Sequence, residues 1–200
     1  MTIKDAKRRF VVEGAAKLFL ERSIAEVTIK DIAKATGLGE ATIYRYFSGK
    51  TELILACALY LEAAVEEAFI ANQRMTDGFR RICRFYEAYL QIFTDSPGLY
   101  RFLQDFDAYC ITGNVNTDEY ADSLDRFKAA FVEAYKDALS DGAVRAVDDI
   151  DAFYYSTTHA LLGLCKKLAS GDLVRQDIQT NKTAEVRTLI DIILGYLSRA

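Results

Sequence analysis

The chain reads as an all-helical protein, and three observations say so. Its 200 residues contain one proline and eleven glycines against a 51% hydrophobic content, so breakers are few and helix formers abound. Apolar residues recur at three- and four-residue spacing along most of its length. No alternating stretch of useful length suggests a strand, and there is no internal repeat or low-complexity tract. A chain this long can bury a sizeable core as one large domain or two smaller ones.

The first helix is expected over about Lys4–Arg22, where Phe10, Val11, Ala15, Leu18 and Phe19 form a stripe and Lys7, Arg8, Glu13 and Lys17 lie mostly off it. Thr28 is placed to cap a second helix, with Asp31 three residues on as an approximate capping box. Ile29, Ile32 and Ala33 are its inward face, and Gly37 ends it. A short third helix follows over Glu40–Tyr46, with Leu38 plugging the turn. Ser48 then caps a fourth helix reaching about Asn72, a rod of about 30 Å able to connect a head to a body. Five further helices are expected. They start at Thr76-Asp77, at Ser96-Pro97 (an N-cap followed by proline), at Asp118, at Asp148 and at Thr183. ITGNVNT (111–117) reads as a loop. About nine helices result, divided as a head of residues 1–50 and a body of residues 51–200.

Charge supports that division. The net charge is −4 overall, yet residues 1–50 carry ten Lys/Arg against six Asp/Glu while residues 51–200 carry fifteen against twenty-three. A basic head on an acidic body suits a protein that meets phosphate with one end only. No run of about 18 uncharged apolar residues suggests a membrane span, and no apolar stretch behind the basic amino terminus suggests a secretory signal. Cys57, Cys83, Cys110 and Cys165 are widely spaced, without CxxC or Cys/His patterns. They are expected to be reduced thiols of a cytoplasmic protein, with no cofactor, metal site or catalytic residue.

The chemistry concentrates in TIKDIAKATGLGEATIYRYFSGK (28–50), two short helices about a glycine turn. In a helix-turn-helix the second helix offers its amino-terminal residues to base edges in the major groove; here these are Gly39, Glu40, Ala41 and Thr42. Ile43 and Phe47, four apart, face the core, and Tyr44 and Arg45 project from the other side. A tyrosine hydroxyl can donate to phosphate, and an arginine can pair with phosphate or with guanine O6 and N7. Thr28 at a helix amino terminus is expected to favour a phosphate. Lys50 adds a cation close by, and Tyr46 either joins the contact or fills the core.

Ala16, Leu18-Phe19, Thr28, Ile32-Ala33, Ala35, Gly37, Thr42, Tyr44, Tyr46-Phe47, Lys50 and Leu53 together resemble the TetR family of transcriptional repressors, over about a quarter of the chain. The resemblance implies a three-helix DNA-binding head, a larger helical ligand-binding body and a two-fold dimer. Two positions depart from the family pattern. Ser23 stands where glycine is usual; if the backbone there is left-handed, serine costs roughly 1 kcal/mol and Ser23→Gly is neutral or stabilising. Gly39 and Glu40 stand where serine and a basic residue are common. Glu40 either accepts from a cytosine amino group or lowers non-specific DNA affinity by repelling phosphate.

Nineteen of the twenty-four aromatic residues lie beyond residue 50. In residues 79–93, Phe79, Cys83, Tyr86, Leu90 and Phe93 form one stripe, and Phe85, Tyr89 and Ile92 another, so this helix belongs near the centre of a bundle. The resemblance implies a small-molecule effector among such helices, and tyrosines give apolar walls with hydrogen-bonding tips. Phe85, Tyr89, Phe106, Tyr109, Tyr155 and His159 are the candidate lining. The last two helices carry faces of small and large apolar residues. Leu161, Leu164 and Leu168 on one and Leu189, Ile193 and Leu197 on the other are expected to pair across a two-fold axis, burying a large apolar patch; the alternative is burial within one chain. The whole reads as a homodimeric, ligand-responsive repressor on a palindromic operator. The rivals are an activator, a regulator answering a protein partner and, remotely, a helical enzyme.

Overall fold

The computed structural model describes residues 2–71, 77–172 and 174–199, with side chains left out for 67–71 and 176. Ten helices run in the order α1 (Ile3–Glu21), α2 (Ile29–Thr36), α3 (Glu40–Tyr44), α4 (Lys50–Ala71), α5 (Gly78–Asp95), α6 (Gly98–Gly113), α7 (Asp118–Ser140), α8 (Ile150–Ala169), α9 (Arg175–Gln179) and α10 (Lys182–Leu197). Among the described residues there is no strand, only an isolated antiparallel bridge between Val144 and Ser198. The all-helical expectation holds. The additional helix is the five-residue α9, too short to show a period.

Local capping sets the boundaries: Gly37, at φ 69°, ends α2 as expected, and Asp77 caps α5 by accepting from the Phe79 and Arg80 amides. The expected loop at 111–117 begins later, because α6 continues to Gly113 before the turn at Asn114. Asn72 and Thr76, named above as helix limits, lie outside the described residues. The condition for strain at Ser23 is not met: among the described residues only Asn114 is a non-glycine with positive φ. Ser23 instead opens a turn, its carbonyl accepting from the amides of Glu26 and Val27 and its hydroxyl from that of Glu26.

Packing gathers the chain into two compact units, Met1–Val65 with Arg101–Ser123, and Glu66–Tyr100 with Leu124–Ala200. In the first unit Val11, Ala15, Phe19, Ile32, Ile43, Phe47, Leu53 and Ile54 form the core of the head. Gly14 lets α1 meet α2 closely, since a Cβ there would stand 2.5 Å from Thr36 Cγ2. Residues of α6 complete this unit. Phe102 lies 6.0 Å from Phe19 and stacks on Phe106, Asp105 accepts from the Ile24 amide at 3.1 Å, and Arg101 donates to the Leu20 carbonyl. Packing therefore divides the chain elsewhere than at residue 50, where charge and motif divide it.

The second unit is built on α5, α7, α8 and α10. Ile82, Phe85, Tyr86, Phe131, Ala138, Leu161, Cys165, Val186, Ile190 and Leu197 are buried in it. A Cβ on Gly78 would sit 2.5 Å from the Ala138 nitrogen and 2.6 Å from the Ala134 carbonyl oxygen, so only glycine permits this approach of α5 to α7. Beside that crossing the buried Arg81 pairs with Asp137 and Glu133 of α7. Among the described residues no helix is long and apolar enough to cross a membrane.

Candidate nucleic-acid interface

The head forms its site from α2, the turn and α3. At the start of α2 the Asp31 amide donates to Thr28 Oγ1 at 3.1 Å, while Asp31 Oδ2 accepts from the Thr28 amide at 2.9 Å and from its hydroxyl at 2.7 Å. These hydrogen bonds hold the Asp31 carboxyl below its ordinary value, the Thr28 side chain contributing most. The capping box is thus complete, with a consequence for the expected phosphate contact. Both donors of Thr28 are already spent on a carboxylate, and the hydroxyl must turn away from Asp31 before it can reach DNA.

Gly37 and the Leu38 amide, which donates to the Ala33 carbonyl, turn the chain into α3. Gly39 caps α3 without a side chain and has φ −73°, so glycine's freedom is not used there. Ile43 and Phe47 are fully buried, which fixes the roll of α3 and turns Gly39, Glu40, Ala41, Tyr44 and Arg45 outward. Tyr44 is 54% exposed, a large aromatic held in water. Arg45 lies over the Tyr46 ring with its guanidinium carbon 5.3 Å from the centroid, so Tyr46 steers a cation while being half-buried itself. Thr42 is half-buried at the edge of the same surface.

Lys50 sits differently from its expected role. Its ammonium donates to the Ile24 carbonyl, and partial burial lowers its pKa despite the field of Asp31. It therefore ties the start of α4 to the turn after α1. The exposed cations on α2 are Lys30 and Lys34, which sequence reasoning passed over because neither lies in the turn or in α3. Arg8 reaches the Phe47 ring at 4.8 Å and Glu52 at 3.5 Å, bracing α1 against the end of the motif.

The candidate pocket residues belong to both units. Phe106 is buried in the first unit against Tyr120, and Tyr109 shares a hydrogen bond with Thr51 there. Phe85 and Tyr89 meet at 6.0 Å inside the second unit. Tyr155 and His159, 5.7 Å apart, face outward, with Lys128 over the Tyr155 ring and paired with Asp151. They form a solvent-facing pair, because Tyr154 and Thr158 take the inward positions of α8.

Most of the expected dimer residues are already covered within one chain. Leu161, Leu168, Ile193 and Leu197 are buried within the chain, and Leu164 and Leu189 are half-buried. The reason is that α8 and α10 pack on each other and on α5 with their leucine-rich faces. What they leave exposed is Ala160, Gly163, Ile192, Gly195 and Tyr196. Sequence reasoning saw that both faces were apolar without knowing which was already covered.

Residues 11–57 match the family described as bacterial regulatory proteins, tetR family. The nucleoid occlusion factor SlmA of Haemophilus influenzae (strain PittGG) is 29% identical over 103 residues, 51% of this chain and 47% of that protein. An HTH-type transcriptional regulator of Staphylococcus aureus (strain USA300) is 42% identical over 52 residues, 25% of this chain and 28% of that one. The chain thus spans about half or less of the length of these curated relatives. A putative transcriptional regulator from Saccharomonospora viridis, solved with choline, has the same fold at a TM-score of 0.79 and 22% identity, covering 98% of this chain and 100% of that one. A TetR transcription regulator from Haloarcula marismortui superposes at 0.75 with 17% identity, covering 96% of each chain.

Proposed function

We propose that this chain, whose residues 11–57 match the tetR family of bacterial regulatory proteins, is a cytoplasmic, homodimeric repressor with a helix-turn-helix DNA-binding head, released from a palindromic operator by a small molecule. The observation that carries the DNA side of this reading is the outward face of α3. Buried Ile43 and Phe47 fix it, and it presents Gly39, Glu40, Ala41, Tyr44 and an Arg45 already steered by Tyr46. Rigid support of this kind positions a few side chains for base edges while tyrosine and arginine engage phosphate. Thr28 and Lys50 serve chiefly to shape the head.

The dimer side rests on the exposed strip of α8 and α10. Nothing lies within 4 Å of a Cβ placed on Gly163 or Gly195, so a partner helix has room to approach, and Ile192 and Tyr196 stand open beside them. A second copy buries this apolar surface and supplies the symmetry that a palindrome requires. The body, residues 51–200 in functional terms, receives the effector. Release follows if the effector binds more tightly to a state of lower operator affinity. The similar chain from S. viridis was solved with choline, which makes small organic cations the first effectors to try.

Saturable, salt-dependent binding of the intact chain to DNA upstream of its own gene tests the reading. The double substitution Tyr44→Ala, Arg45→Ala should abolish specific binding while the fold and dimer persist. An intact dimer with no operator binding overturns the proposal. Increased transcription on binding would establish an activator instead.

A further inference from the structure

The first two turns of α1 stand free of the core of the head. Residues 2–10 are all exposed, whereas Val11, Val12, Ala15, Ala16 and Phe19 behind them are buried. Beside those turns lies a groove of about 560 Å³, lined wholly by residues of the first unit. Small-molecule sites span roughly 300–1,000 Å³, so the groove is of a size to hold one. Asp5, Arg8, Arg9 and Val12 form one wall, since residues three and four apart share a side of α1. Leu55, Ala56, Leu59 and Tyr60 form the wall on α4 by the same spacing, and all four are half-buried. Glu52 and Glu119 complete the lining.

The charges decide what fits. Three carboxylates line the groove against two guanidiniums, yet each carboxylate serves a helix start. Asp5, Glu52 and Glu119 lie in the first turns of α1, α4 and α7, where backbone amides favour a negative charge. Asp5 accepts from the Thr2 amide at 2.8 Å, and Glu52 from the Ser48 amide at 2.7 Å and the Ser48 hydroxyl at 2.9 Å. The guanidiniums lie farther along α1. Arg8 donates to Glu52 at 3.5 Å, and Arg9 donates through Nε to Glu13 at 2.8 Å. A guanidinium carries five N–H donors, and exposed pairs of this kind contribute little. Both arginines therefore have donors to turn toward an incoming carboxylate. The α4 wall selects the rest of the ligand. In a groove open to water a flexible chain costs entropy for each rotor it fixes, whereas a flat ring covers Leu55, Leu59 and Tyr60 at small entropic cost. Arginine also stacks on ring faces, as Arg8 does over Phe47 at 4.8 Å. We propose that the α1–α4 groove binds an aromatic monocarboxylate, its carboxylate on Arg8 and Arg9 and its ring against Leu55, Leu59 and Tyr60. The site goes beyond the repressor reading and does not depend on it.

Calorimetric titration of the intact chain with 2-naphthoate tests it against 2-naphthamide, which keeps the ring without the charge, and 2-naphthylmethylammonium, which reverses the charge. Saturable naphthoate binding with a Kd of about 1 mM or below is expected, with the amide and the ammonium about tenfold weaker or worse. Arg9→Gln, at an exposed side chain, should weaken naphthoate about tenfold and leave the melting temperature of the free chain unchanged. Equal or tighter binding of the amide or the ammonium, unchanged naphthoate affinity in Arg9→Gln, or no saturation by about 5 mM overturns the proposal. Operator binding without naphthoate binding overturns this assignment alone and leaves the repressor reading standing. Naphthoate binding without operator binding does the reverse.

Discussion

Ser23, Asp31 and Glu40 show how single positions in the head divide between shaping it and reading DNA. Ser23 replaces a glycine usual at this place, yet its backbone is not left-handed and its hydroxyl accepts from the Glu26 amide at 3.3 Å. Ser23→Gly should therefore lower stability by about 1 kcal/mol, from a lost cap and a more flexible unfolded chain; urea unfolding reads the shift, and a more stable variant contradicts this account. Asp31 is held below its ordinary pKa by Thr28. A depressed carboxylate binds fewer protons in the folded state, so its contribution is whole above its ordinary value and fades as pH falls through the folded one. Stability of the wild type should drop below about pH 4 more steeply than that of Asp31→Asn, in parallel thermal melts across pH. Glu40 is exposed at the first position of α3. Glu40→Lys should raise affinity for unrelated DNA several-fold at low salt and steepen the salt dependence by about one counterion, measured by fluorescence anisotropy. Unchanged affinity would point to base reading by Glu40 instead.

At the scale of elements, close approach and capping set what pattern cannot. The α5–α7 crossing depends on Gly78, whose missing Cβ leaves room for the Ala134–Ala138 backbone. Gly78→Ala must push the helices apart or displace the Arg81 pair with Asp137, and should cost about 1–3 kcal/mol; guanidinium unfolding measures it, and a neutral result would mean that the crossing yields freely. The helix-turn-helix was legible because its signals are local. A capping residue, a glycine turn and apolar residues four apart all act within one or two turns of chain. The pairing of α6 with the head was not legible, because Asp105 meets the Ile24 amide and Phe102 meets Phe19 across more than eighty residues. Nothing in the sequence around Asp105 marks it as a cap for a distant amide. The short α9 escaped for the opposite reason: five residues carry too little period to read.

For the whole molecule, the exposed strip of α8 and α10 is the consequential surface. Ile192 is 63% exposed and Tyr196 52%, beside two glycines. On the proposed homodimeric reading, Ile192→Glu should yield monomers in analytical ultracentrifugation and weaken operator binding at least tenfold while leaving the monomer fold intact, since the side chain already faces water. A persistent dimer would place the interface elsewhere. The amino-acid sequence by itself determined the helical class, the reading head, the residues that turn α3 outward and the basic-over-acidic charge division, because each follows from local periodicity, capping chemistry or composition. Only the tertiary structure decided which apolar faces were already spent. It placed Leu161 and Leu197 in the core, turned Tyr155 and His159 to solvent and drew Lys50 onto Ile24. An apolar stripe records only that a face must be covered; which neighbour covers it depends on chain segments far apart in sequence, and that is settled when they pack.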